Sequence, residues 1–139
     1  MSGNDNINPV LLTWMRFILR FAGTFNLLAG LGMICLYHEG FKAVDLAAPK
    51  MALPVQVMGI LVALFGVGYF MVAARPERNR DLLLLGMLSK AISSVFALAY
   101  VGSGQLPWHS AVVVLFSDII YVPLFWIIWR RLCRLDTSY

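Results

Sequence analysis

Two residues of opposite charge stand alone inside long apolar runs, and they are the first chemistry this sequence offers. Lys90 lies within LLLLGMLSKAISSVFALAY and Asp118 within VVVLFSDIIYVPLFWIIW. A charge surrounded by lipid is costly, so each must face a protein interior or a water-filled cavity. Each is also the best counter-charge the other has. Such a pair can bind a polar group or exchange a proton, or it can fix how two helices pack. Ser117 and Tyr121 cluster with Asp118 on one side of its helix. Asn26 adds an amide in the first apolar run and Gln56 one in the second. With a helix rise of ~1.5 Å per residue, Lys90, Asn26 and Asp118 lie ~12, ~14 and ~16 Å from the same membrane surface. All three are near the midplane, and lysine has the reach to cover the difference. Gln56 falls close to the opposite surface.

Other chemistries are weaker. His38 and His109 both fall at span ends on one side, where two axial haem ligands could sit, but their spacing is not diagnostic. A protein metal site wants more ligands than this. Cys35 and Cys133 belong to opposite membrane surfaces, whereas a disulfide needs Cα atoms within ~7 Å. A peroxidase thiol would have to be accessible and activated, and Cys35 is embedded. Gly66-Val67-Gly68-Tyr69-Phe70 has the look of a potassium filter, but such a filter is non-helical and lines a pore. Gly30-Leu31-Gly32 follows no strand and lacks the third glycine of a dinucleotide fingerprint.

The elements that must position these residues follow from hydropathy. The chain has 139 residues, 60% hydrophobic and only 13% charged, far from the composition of a soluble domain. Four runs, 17–37, 51–74, 82–101 and 111–129, each approach the ~20 residues that cross a bilayer. A polar tail, 1–9, precedes a single domain, 10–139. The expected fold is an all-α membrane protein, an antiparallel four-helix transmembrane bundle. Small and polar residues recur at helical spacing in the first three spans as well: Gly23, Asn26 and Gly30; Gln56, Gly59, Ala63 and Gly66; Gly86, Lys90, Ser93 or Ser94, and Ala97. Such stripes let helices approach closely. Pro123 lies inside the fourth run, where it removes the hydrogen bond to Ile119 and predicts a kink beside Asp118. The connection 38–50 is the longest, and Phe41 to Leu46 reads equally well as a short interfacial helix or an irregular loop.

The net charge of +4 would suggest nucleic acid in a soluble protein. Here the basic residues gather at span ends, which gives topology instead. Arg16, Arg20, Arg75, Arg78, Arg80, Arg130, Arg131 and Arg134 fall on one side, against Lys42 and Lys50 on the other. The asymmetry predicts that both termini are cytoplasmic. No small-x-small cleavage site follows the first run, so it reads as a retained span.

From Gln56 to Trp129 the chain resembles a group of small, uncharacterised four-span bacterial inner-membrane proteins. The resemblance rests on Gln56, Gly59, Gly66 through Tyr69, Arg75-Pro76, Gly86, Lys90, Leu106-Pro107-Trp108, Ser117-Asp118 and Pro123. It implies a bacterial inner-membrane location and that Gln56, Lys90 and Asp118 belong together, but it implies no activity. In size and layout alone the chain is similar to DoxX-like membrane proteins. Small multidrug transporters have an acidic residue in the first span, where this chain has Asn26. The expected function is a buried polar site that binds or passes a small amphipathic or polar molecule, or an accessory role in a homo-oligomer or larger membrane complex. The chain is not expected to be an enzyme or to bind nucleic acid. The alternative is a redox module holding quinone or haem near the outer face.

Overall fold

The computed structural model describes residues 11–136, and within them every regular element is helical. The polar tail, 1–9, lies outside the described residues. Three helices are single, long and apolar enough to cross a membrane: α1 (Thr13–Cys35), α3 (Leu53–Ala74) and α4 (Arg80–Gly102). The fourth apolar stretch, His109–Arg134, is also long enough, but it is not one regular helix. It divides into α5 (His109–Val114), a π-helical turn (Leu115–Ile119) and α6 (Tyr121–Asp136). The connection between the first two spans holds a short helix, α2 (Tyr37–Ala43), and then irregular chain in which Asp45 has φ 55°. The helix thus starts before the segment expected, and the rest of that segment is loop.

Local chemistry sets the ends. Pro54 sits in the first turn of α3, where its missing N–H costs nothing. The last carbonyls of a helix lack partners within it. At the end of α3, Asn79 Nδ2 donates to Arg75 O at 3.0 Å and adds a second bond, at 3.1 Å, to Met71 O, which also accepts from Arg75 N–H. Gly104 takes a left-handed conformation, φ 74°, in the turn after α4.

The closest packing is between α1 and α3, and glycine makes it possible. Gly30 lies against Gly59, and Gly23 against Gly66. A Cβ on Gly59 would stand 2.7 Å from Gly30 O, and one on Gly66 would stand 2.7 Å from Gly23 O. One index rises as the other falls, so these two helices run in opposite directions. Both glycine pairs repeat at seven residues, two turns of helix, which keeps them on one seam.

The hydrophobic core fills only half of the assembly. Leu11 precedes α1, and Met15, Leu19 and Ala22 lie in its first half; Tyr69, Val72 and Ala73 end α3; Leu83 and Met87 begin α4; Phe125, Ile128 and Leu132 belong to α6. All lie toward the end that holds the arginines. Beyond Ser94 no residue of α4 is buried, and none of α2, α5 or the π-turn is buried. Toward the far end, α1 and α3 keep their glycine seam, while a core shared among the four long apolar stretches is lost.

Candidate functional site

The polar residues sit where the packed half ends. Lys90 is midway along α4 and 6% exposed. Its Nζ lies 2.6 Å from Asp118 Oδ1, so the two residues that stand out in the sequence form an ion pair. The same Nζ donates to Ser117 O at 2.9 Å. Its ammonium also lies 5.2 Å from the centroid of the Tyr121 ring, within cation–π range. Ser94 Oγ donates back to Lys90 O at 2.7 Å, which ties the lysine backbone to the next turn of α4.

The π-turn presents Asp118 and the Ser117 carbonyl together. Pro123 cannot donate to Ile119 O, and its ring crowds that carbonyl. The sequence therefore predicts a break here, and the structure shows its form. Ile120 N–H donates five residues back, to Leu115 O at 3.2 Å, in place of the usual four. Ser117 Oγ completes the carboxylate's surroundings, donating to Asp118 Oδ2 at 3.3 Å.

The pair is the floor of a cavity of about 290 Å³. Asn26 of α1 faces it from the opposite side, 6% exposed, and among the described residues its amide has no hydrogen-bond partner. Ser89 and Ser93 add hydroxyls at an open edge, and Met58, Val62 and Phe65 of α3 form an apolar wall. The Asp118 side chain is 26% exposed, and this cavity is the space it borders. The arrangement can offer an N–H from Lys90, both amide groups of Asn26 and a carboxylate oxygen to one guest.

The expected residues do not all meet here. Lys90, Asp118, Ser117 and Asn26 do, and Tyr121 buttresses them from the core. Gln56 does not. Its Nε2 donates to Ile34 O at 3.3 Å, in the last turn of α1, where carbonyls want partners. It is an inter-helix tie, and the structure does not group it with Lys90 and Asp118 as the family resemblance implies. Tyr69, in the filter-like stretch, is a site residue the sequence reading passes over. It lines the cavity, and its ring rests so close to Gly86 that a Cβ there would lie 2.6 Å from it. The signal was a glycine on α4 facing an aromatic on α3, which only packing reveals. The two histidines take separate partners. His38 is exposed beside Tyr37, with ring centroids 4.1 Å apart, and His109 Nε2 lies 3.2 Å from Val44 O. Among the described residues no group of three or more His, Cys, Asp or Glu could hold a metal ion. Set against family models, curated proteins and solved structures, the chain finds no match.

Proposed function

We propose that this chain is a multi-pass protein of the bacterial inner membrane. It is an antiparallel four-helix transmembrane bundle with both termini cytoplasmic, and its midplane cavity binds or passes a small amphipathic or polar molecule. Three long apolar helices and a fourth, interrupted helical stretch of the same length support the membrane assignment, as does the surface they present: Phe17, Phe96 and Phe116 are 64–68% exposed. In water such a surface would be a liability, whereas in lipid it is matched. The chain acts here as a binding or carrier protein, not an enzyme, alone or as an accessory subunit of a larger membrane complex.

One observation carries the reading. Lys90 and Asp118 neutralise each other at the floor of a cavity, not inside the packed core. A pair serving only to lock two helices would be sealed by side chains, because open polar space beside it adds nothing to packing. Here the carboxylate and an unpartnered amide border the same space.

The test compares what co-purifies. Wild type and the double variant Lys90→Met/Asp118→Leu are extracted gently and analysed by native mass spectrometry. A bound molecule present in the wild type and lost in a folded double variant supports the site. Identical spectra from both would leave the pair as a packing device.

A further inference from the structure

A second cavity of about 510 Å³ lies beyond the first, toward the far end. It is an open cleft lined by the last turns of α1, by α2 and by the loop leading to α3. Met33, Leu36, Phe41, Val44 and Val55 give it apolar walls, and the only charged residue bordering it is Glu39, which is exposed. Ala29 lines both cavities, which places them side by side along α1. Asn26, Ala29, Met33 and Leu36 succeed one another at steps of three and four, hence on one face of α1. Along that face the distance from the polar floor to α2 is ~15 Å. The roof is tied down, because His109 at the start of α5 holds Val44 O.

We propose that the two cavities form one site for a single-chain amphiphile whose uncharged head both donates and accepts hydrogen bonds. This rests on the reading of the midplane cavity as a binding site and names its ligand class. The head is selected by the floor. An ammonium has three N–H groups, and Lys90 spends two of them on Asp118 and Ser117. The third, with the Asn26 amide, serves an acceptor on the guest. Asp118 Oδ2 has only the long bond from Ser117, so it serves a donor. Charge decides the rest. Lys90 and Asp118 already sum to zero, and a carboxylate or ammonium head would leave one unmatched charge in a low-dielectric surround. The chain of the guest occupies the upper cavity. Lipid is as apolar as those walls, so the chain contributes fit and length, while preference comes from the head.

The experiment offers three probes of one chain length to the full protein in detergent: 1-monooleoylglycerol, oleate and oleylamine. Retention is read by native mass spectrometry. The expected result is that monooleoylglycerol is retained over either charged probe by about tenfold or more, the scale at which an unmatched buried charge discriminates. Asn26→Leu, which removes a hydrogen-bonding partner of the head and leaves the charge balance of the floor unchanged, should lower retention of monooleoylglycerol several-fold. Ala29→Phe, which narrows the junction without touching the polar floor, should abolish retention of all three. If that variant fails to fold, head preference in wild type and Asn26→Leu still decides. Preference for oleate or oleylamine, still blocked by Ala29→Phe, would overturn the head assignment and leave the binding site standing. Equal retention of the three heads, indifferent to both variants, would overturn the proposal as detergent-like adsorption. Retention of none would overturn it together with the reading beneath it.

Discussion

Removing Lys90 tests the site where its physics is sharpest. In Lys90→Met the Asp118 carboxylate keeps only the Ser117 hydroxyl, at 3.3 Å, and loses an ammonium at 2.6 Å. Breaking a buried pair from one side costs roughly 3–5 kcal/mol, because the surviving charge stays behind without compensation. Here the Asp118 side chain is 26% exposed, so some hydration remains, and the lower part of that range applies. Asp118→Leu strands the more deeply buried partner and should cost more, since Lys90 is 6% exposed and keeps only the neutral Ser117 carbonyl and the face of the Tyr121 ring. The double variant Lys90→Met/Asp118→Leu removes both charges and should recover much of the loss, a coupling of about 2 kcal/mol or more. The assay is reversible unfolding of the extracted protein, in micelles of one detergent, for all four chains of the cycle. Losses that add to within about 0.5 kcal/mol would refute the coupling.

Three further outcomes are expected. Gly59→Val should destabilise by roughly 1–3 kcal/mol, because its Cβ would meet Gly30 O at 2.7 Å, whereas Gly32→Ala, with nothing within 4 Å, should be neutral or gain up to about 1 kcal/mol; chemical unfolding of the pair reads the contrast. Gly86→Ala should push the Tyr69 ring out of place and cost a similar roughly 1–3 kcal/mol, visible as a changed tyrosine environment in near-UV circular dichroism as well as in stability. Reporter fusions after Tyr139 and within the turn at Gly104 should report opposite sides of the membrane, and a shared side would end the proposed topology.

Much of this was readable before any coordinates, and the reasons differ by residue. The four spans are legible because crossing length is a count of apolar residues. Lys90 and Asp118 are legible because each is intolerable alone in an apolar span, and only one opposite charge was at hand at the same depth. Asn26 follows from depth and from its place on the small-residue stripe. Gln56 does not, because a polar side chain can meet a ligand or a helix end, and its nearest need was the carbonyl of Ile34. Pro123 announces a fault beside Asp118 but not its form, since a kink and a π-turn both relieve the same missing N–H. The half-filled core is invisible in the sequence. Periodicity says which face of a helix turns inward, not how far along its length another helix follows it.

The π-turn also makes the fourth span a matter of arithmetic. A turn bonded across five residues instead of four carries one residue more than a regular helix would need. Stretch His109–Val114 and stretch Tyr121–Asp136 are therefore written in two different phases, offset by about 100°, with Asp118 at the seam. Deleting a single residue between Leu115 and Ser117 would remove the extra residue of the π-turn and leave the Pro123 gap as the interruption of the α-helical ladder there. The span could then seat Phe125, Ile128 and Leu132 in the core, or aim the segment before the seam as now, but not both. A change of length by one, with every side chain of the site still present, would thus disassemble it more thoroughly than any single substitution.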